Sequence, residues 1–271
     1  MMRQLRVSVS LMLQFICGMV LVCACAGGAV AEPVPVRHLV GTIHAFLELR
    51  SAAGSLLASG DILQDAHGDQ VIAHVVMHFK DGSVDDERTV FTQRGHFQLV
   101  SDRHIQKGPY FPHPLDVAID ARTGQVMVRS VGKDGKEEVT TDHVDLPADL
   151  SNGLVPHILE NMPPGAASGT TVSMLVTTPK PRMVKLSISP AGQDPFTIMG
   201  SSRQAIHYEI KVDLGGIAGV VAPVIGKQPP NIQVWIVGGQ APTFLKVQEP
   251  LYAEGPIVTM QLVSPAWPAK K

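Results

Sequence analysis

Cysteine is almost absent from this chain. It holds three, Cys17, Cys23 and Cys25, and no other follows them. Removal of the first 31 residues would leave no thiol, which excludes disulfides, thiolate zinc sites and a cysteine nucleophile. Aromatic residues are scarce at 5 %, with Trp235 and Trp267 the two tryptophans, too few for a broad stacking platform for sugars or bases. Charged residues make up only 17 %, and the formal net charge of −2 gives no electrostatic reason to expect nucleic acid as a partner. The HExxH, HxxEH and GxSxG motifs are missing, as is a glycine-rich phosphate loop, so the preferred reading is non-enzymatic, with no cofactor and no metal. A Ser-His-acid triad assembled from distant positions stays open, because 11 histidines and many acids are available.

What is present begins with the N-terminus. Arg3 and Arg6 precede the apolar run VSVSLMLQFICGMVLVCACAGGAVA, which ends in Ala29-Val30-Ala31 ahead of Glu32-Pro33. A basic start, an apolar middle and a small-x-small exit predict a secretory signal peptide over residues 1–31 and a secreted or periplasmic protein. The alternatives are an uncleaved membrane anchor through residues 7–31 and lipid attachment at Cys25. Cleavage would take Lys+Arg from 22 to 20 against 24 Asp+Glu, moving the net charge to −4.

Residues 32–271 are expected to form a single antiparallel β domain, since 25 glycines and 21 prolines spread along the chain favour short elements and turns. From Val71 to Phe79 the odd residues Val71, Ala73, Val75, Met77 and Phe79 are apolar, which predicts a strand with these side chains inward. Other strand-like runs are 38–49, 56–64, 117–119, 126–128, 171–177, 183–189, 205–214, 232–237 and 257–263. In LPADLSNGLVPHILENMPPG, Leu150, Leu154, Ile158 and Met162 recur every four residues, predicting a helix near 149–162 with Asp149 or Ser151 as N-cap. Pro156 restricts its continuous part to about two turns. The apolar GGIAGVVAPVIG, 215–226, is too short to span a bilayer and reads as a buried loop or short helix that plugs one end of a curved sheet.

The stretch HVVMHFKDGSVDDERTVF raises the question of a metal site. His74 and His78 lie four apart, which in a strand separates them by about 13 Å, too far to share one ion. Asp81-Gly82 predicts a tight hairpin. A two-residue turn sets His78 opposite Asp85, Val76 opposite Glu87 and His74 opposite Thr89. A three-residue turn ending at Ser83 sets His78 opposite Asp86 and His74 opposite Val90. The expectation is a hairpin with a polar outer face. Asp81-x-Ser83-x-Asp85 imitates the start of a calcium loop, but Asp86 stands where glycine is wanted and Thr92 where a glutamate is needed. His157 and Glu160, three apart, predict a solvated pair on the helix. In QKGPYFPHPLD, 106–116, three prolines hold Tyr110, Phe111 and His113 in a stiff segment, which is either a ligand or partner loop or an aromatic lid tucked into the core.

The helix segment and VDLGGIAGVVAPVIGKQPPNIQVWIVGG resemble uncharacterised exported bacterial proteins, whose family has no assigned activity. The order of elements is also similar to half-barrel envelope proteins of the lipoprotein-carrier type, which hold acyl chains against a concave sheet. The expected fold is therefore mainly β, a strongly bent antiparallel sheet or half-barrel with one central helix, with two small β-sandwich-like halves as the alternative. Three functions follow: an exported envelope protein binding a hydrophobic or lipid-like ligand in the concave sheet, a structural module binding an envelope protein partner through loop 106–116, or a secreted hydrolase with a dispersed triad.

Overall fold

The computed structural model describes residues 34–131, 135–163, 169–177, 180–198, 200–215 and 228–263. The expected signal segment with its three cysteines, and the apolar 215–226 stretch apart from Gly215, lie outside them. The chain starts with two long hairpin-linked strands, β1 (Ile43–Ser51) and β2 (Leu56–His67), and continues as a meander through β3 (Gln70–Phe79), β4 (Val84–Thr92), β5 (Gln98–Lys107), β6 (Leu115–Asp120), β7 (Gln125–Val131) and β8 (Glu137–His143). A short helix, α1 (Val155–Glu160), follows. A second meander then runs through β9 (Thr170–Val176), β10 (Arg182–Ile198), β11 (Ser201–Asp213), β12 (Ile232–Val237), β13 (Thr243–Pro250) and β14 (Ile257–Val263).

The two meanders make one sheet. β14 pairs antiparallel with β1, from Phe46 opposite Val263 to Ser51 opposite Val258, so the order runs from β8 through β1 and β14 to β9. That junction rules out the alternative of two separate β halves. The sheet does not close, because β8 and β9 end it. All of β8 is exposed, and its Glu137, Glu138 and Asp142 put charge on a free edge, where it discourages edge-to-edge pairing. The β9 edge is covered instead by residues 149–152. Ser173 donates its N–H to the Asp149 carbonyl and accepts from Ser151 N–H, while the Asn152 side-chain amide exchanges hydrogen bonds with the backbone of Leu175.

Residues 149–152 therefore do not begin the helix. Asp149 and Ser151 are not its N-cap; Leu154 is, with no side-chain hydrogen bond. The physical reason is competition: both side chains find partners on β9, Ser151 Oγ donating to the Ser173 carbonyl at 2.7 Å and Asp149 accepting from Ser173 Oγ at 2.8 Å. The four-residue apolar stripe nevertheless faces inward as expected, with Leu150, Leu154, Ile158 and Met162 all buried.

The sheet bends around α1. From β2, Gln64 reaches the His157 ring; from β4, Phe91 lies with its ring 5.0 Å from that imidazole; from β13, Phe244 donates its N–H to Glu160 Oε1 at 2.9 Å. His157 and Glu160 are thus not a solvated pair. His157 is buried against Phe91 and Phe97, because the concave face supplies both apolar cover and a polar partner. The core on this inner face joins Leu47, Leu49, Val71, Met77, Phe79, Phe91, Val126, Leu186, Ile210 and Ile236 with the helix. Val71, Ala73, Met77 and Phe79 are buried, as the alternation of β3 predicted, and Val75 is half-buried.

Candidate functional site

The β3–β4 hairpin has neither of the two expected registers. Phe79 N–H bonds to the Ser83 carbonyl, leaving Lys80, Asp81 and Gly82 as the loop, so His78 lies opposite Val84 and His74 opposite Arg88. The turn is fixed by side chains: Asp81 Oδ1 accepts from Ser83 N–H at 2.9 Å, and the buried Ser83 hydroxyl accepts from Tyr110 N–H at 2.8 Å. Gly82 supplies the positive φ, +85°, that the loop needs. On the outer face His74 bonds Asp86 at 3.0 Å.

The observed register carries three polar residues of β4 inside. Met77 pairs with Asp85, Val75 with Glu87 and Ala73 with Thr89, so the acids stand on the face that buries the core. The β4–β5 ladder extends the effect: Asp85 opposes Gln106, Glu87 opposes His104 and Thr89 opposes Asp102. A polar layer thus crosses the concave face, flanked by Ile62 and Val75 on one side and Val117 and Ile119 on the other. The strands β13 and β4 are separated in the sheet by β14, β1, β2 and β3, yet the bend brings Glu249 of β13 to the same layer, within the electrostatic reach of Asp85 and His104.

Within the layer, His104 Nε2 lies 2.7 Å from Asp85 Oδ1, and Gln106 Nε2 donates both to Asp85 Oδ2 at 3.1 Å and to the Leu251 carbonyl at 2.9 Å. Thr89 Oγ1 donates to Asp102 Oδ1 at 2.8 Å. Among the described residues, no hydrogen bond or ion pair reaches the carboxylates of Glu87 and Glu249. His104 and Asp85 keep 32 % and 18 % of their side-chain surface exposed.

Enclosure sets the electrostatics. Burial pushes the Glu87 carboxyl up, helped by Asp85 and Glu249 and opposed by His104. Burial and the Glu87 charge raise Asp102 to about 7, against the Thr89 hydrogen bond. Glu249 is raised to about 7 by burial and by Asp85. For His104 burial acts downward, but the Asp85 hydrogen bond and the charges of Glu87, Asp85 and Asp102 overcome it and hold the imidazolium to about 9. Asp102 and Glu249 are therefore raised toward neutrality, and carboxyls shifted by burial beside a charged partner make this layer a candidate functional site. Among the described residues, no group of three His, Cys, Asp or Glu side chains is arranged to hold a metal ion.

Loop 106–116 sits beside this layer. Phe111 is buried, edge-on to Phe79 at 5.3 Å and 6.2 Å from the Tyr252 ring; Tyr110 is half-buried with its ring 4.7 Å from Phe79; His113 is exposed. The aromatics contribute to the core and His113 faces solvent, so the three residues do not converge on one point. Among the described residues no serine hydroxyl bonds a histidine ring. The serine with the most reactive-looking neighbours is Ser173, which accepts from Lys185 Nζ at 2.7 Å and donates to Asp149. It is only 1 % exposed, and it ties the 149–152 segment to β9. Outside the sheet, a groove of about 380 Å³ runs over Arg88, Arg103, Ala118 and Met127, and its Arg103 is already held by both oxygens of Asp116.

Sequence reasoning put Glu87 on the outer face of the hairpin in its two-residue register and gave no role to Asp102, His104, Gln106 and Glu249. In SDRHIQ of β5 both faces are polar, so hydropathy alternation gives no direction to Asp102, His104 and Gln106. The one available signal was parity within β4, where Asp85, Glu87 and Thr89 share the face of Phe91.

No family model matches the chain, and no curated protein matches it. Two solved structures are similar in backbone course. One is a β-barrel-like protein of a domain of unknown function from Brucella abortus, with a TM-score of 0.45 at 11 % identity, covering 83 % of this chain and 96 % of that one. The other is the hypothetical lipoprotein YmcC from Escherichia coli, with a TM-score of 0.35 at 10 % identity, covering 82 % of this chain and 85 % of that one.

Proposed function

We propose that the chain is an exported, non-catalytic envelope protein that holds the apolar part of a lipid-like ligand against the concave face of its sheet. The observation that supports this most is incomplete cover. Ile62, Val75, Met260 and Leu262 point inward by register, yet they are only half-buried, while their neighbours Leu47, Leu49 and Met77 are covered. Apolar surface left open toward an interior is worth about 25 cal/mol per Å² to whatever covers it. The few polar groups nearby, Glu87, His104 and Glu249, would then orient the ligand's head. Export rests on the basic-apolar-AVA pattern of residues 1–31. No helix among the described residues is long and apolar enough to cross a membrane.

The test is native mass spectrometry of the protein purified from envelope fractions, followed by titration of the delipidated protein with a fluorescent long-chain fatty acid. Saturable uptake that Ile62→Trp abolishes without unfolding the protein supports the reading. Absence of co-purifying lipid together with non-saturable uptake overturns it.

A second reading keeps loop 106–116 as a contact for a protein partner, on the observation that three prolines hold the exposed His113 beside the half-buried Tyr110.

A further inference from the structure

The bent sheet has no hydrogen-bonded seam to close it, since β8 and β9 are its ends. Its concave face is bridged instead by side chains. At one end of the interior, α1 spans from β2 and β4 to β13. At the other, the link is small: Gln106 of β5 bonds the Leu251 carbonyl, and Phe111 meets Tyr252. The polar layer lies directly behind this second bridge. Glu249 is two residues from Leu251, and Asp85 shares the Gln106 amide with it.

The charges that act on Glu249 come from two strands. Asp85 of β4 and His104 of β5 bear on it, and Glu249 in turn acts on Glu87 of β4, while Asp102 of β5 acts on His104. The inward residues of β1, β2, β3 and β14 around it are uncharged: Leu49 and Ser51, Gly60 and Ile62, Val75 and Met77, Val258 and Met260. With protons on Glu87, Asp102 and Glu249, the layer holds little beyond the Asp85–His104 pair. Without them, three negative charges are added around a single imidazolium, and Glu249 on β13 opposes Asp85 and Glu87 on β4 across the concave face.

We propose that this layer is a pH-operated latch: protonated, it lets β4–β5 and the end of β13 meet across the concave face; ionised, it drives them apart and opens the interior. Opening separates Gln106 from Leu251 and Phe111 from Tyr252, while the β1–β14 pairing and the α1 bridge remain. Proton concentration then governs access to the half-covered apolar residues Ile62, Val75 and Met260.

The experiment is amide hydrogen exchange of the full protein, corrected for intrinsic exchange, between about pH 5.5 and pH 8.5. Protection over residues 83–89, 102–111 and 249–253 should fall about tenfold or more as pH rises, the factor corresponding to one unit of differential proton affinity. Protection in β1 and β12 should hold. Glu249→Gln removes one of the opposed charges and should flatten the dependence, and Gln106→Ala should open the same segments at both pH values. Circular dichroism confirms that each variant is folded. Should Glu249→Gln misfold, Glu87→Gln serves the same purpose from β4. Equal pH dependence in wild type and in the folded glutamine variant, a pH-independent wild type, or loss of protection in β1 and β12 together with the latch would each overturn the proposal.

Discussion

Gln106 and Leu251 are 145 residues apart in sequence, and a hydrogen bond of 2.9 Å from Gln106 Nε2 to the Leu251 carbonyl joins them across the concave face. No ladder connects their strands, so this side chain does what backbone pairing does elsewhere in the sheet. Gln106 is 4 % exposed, and both acceptors of its amide are fixed by other elements. Gln106→Ala should lower stability by about 1–3 kcal/mol, the range for leaving a buried acceptor unmet. Denaturant unfolding at neutral pH measures this directly.

Stability should fall as pH rises through the neutral range. Asp102 moves from 3.8 unfolded to about 7 folded and Glu249 from 4.5 to about 7, and Glu87 is raised too. A group that binds its proton more tightly when folded stabilises the protein below its unfolded pKa, and that contribution disappears as pH passes the folded value. His104, raised from 6.5 to about 9, loses its own contribution between those values. The combined loss from about pH 5 to pH 9 is on the order of 2–5 kcal/mol after discounting the half-exposed groups. Asp116, held down by Arg103, and Glu48, held down by Arg50, act oppositely, and their contribution is lost only as pH falls below the ordinary carboxylate range. Thermal melts across this window should show the midpoint declining on the alkaline side; a flat profile would contradict the electrostatics of the layer.

Phe91 is fully buried between Phe97 and the His157 ring, where β4 supports α1. Phe91→Ala should destabilise by about 3–5 kcal/mol through lost burial and the cavity it leaves. Hydrogen exchange should show the loss centred on residues 154–162 and their contacts.

Gly153, at φ +66°, brings the entry to α1 against Thr89, and a Cβ there would collide with Thr89 Oγ1. That hydroxyl donates to Asp102. Gly153→Ala should therefore cost about 1–3 kcal/mol from backbone strain and displacement together. The titration of Asp102, followed by carboxyl NMR, should shift with it.

The two readings of loop 106–116 separate by stability. Phe111 is 3 % exposed, so Phe111→Ala should cost about 3 kcal/mol or more and cannot serve as a neutral probe of binding. His113→Ala should leave the melting temperature unchanged. Loss of a cross-linked envelope partner in the His113→Ala variant alone would establish the loop as a contact surface.

The amino-acid sequence determined a good deal of this protein by itself. The period-two pattern of Val71–Phe79 decided which side of β3 is buried, and the leucine stripe from Leu150 to Met162 decided which residues meet the core. Both are local consequences of side-chain periodicity, and they survive even where the element changes, as residues 149–152 show by leaving the helix for the β9 edge. The tertiary structure alone decided the site. A hairpin with Lys80–Gly82 as its loop sends Asp85 and Glu87 inside, whereas the two-residue turn would have sent them out, because a one-residue slip inverts every side chain of a strand. The choice was made by Asp81 capping Ser83 and by Tyr110 bonding its hydroxyl. The meeting of Glu249 with His104 depended on the curvature of a sheet whose strands β13 and β4 are not neighbours, and nothing periodic in either strand encodes that approach.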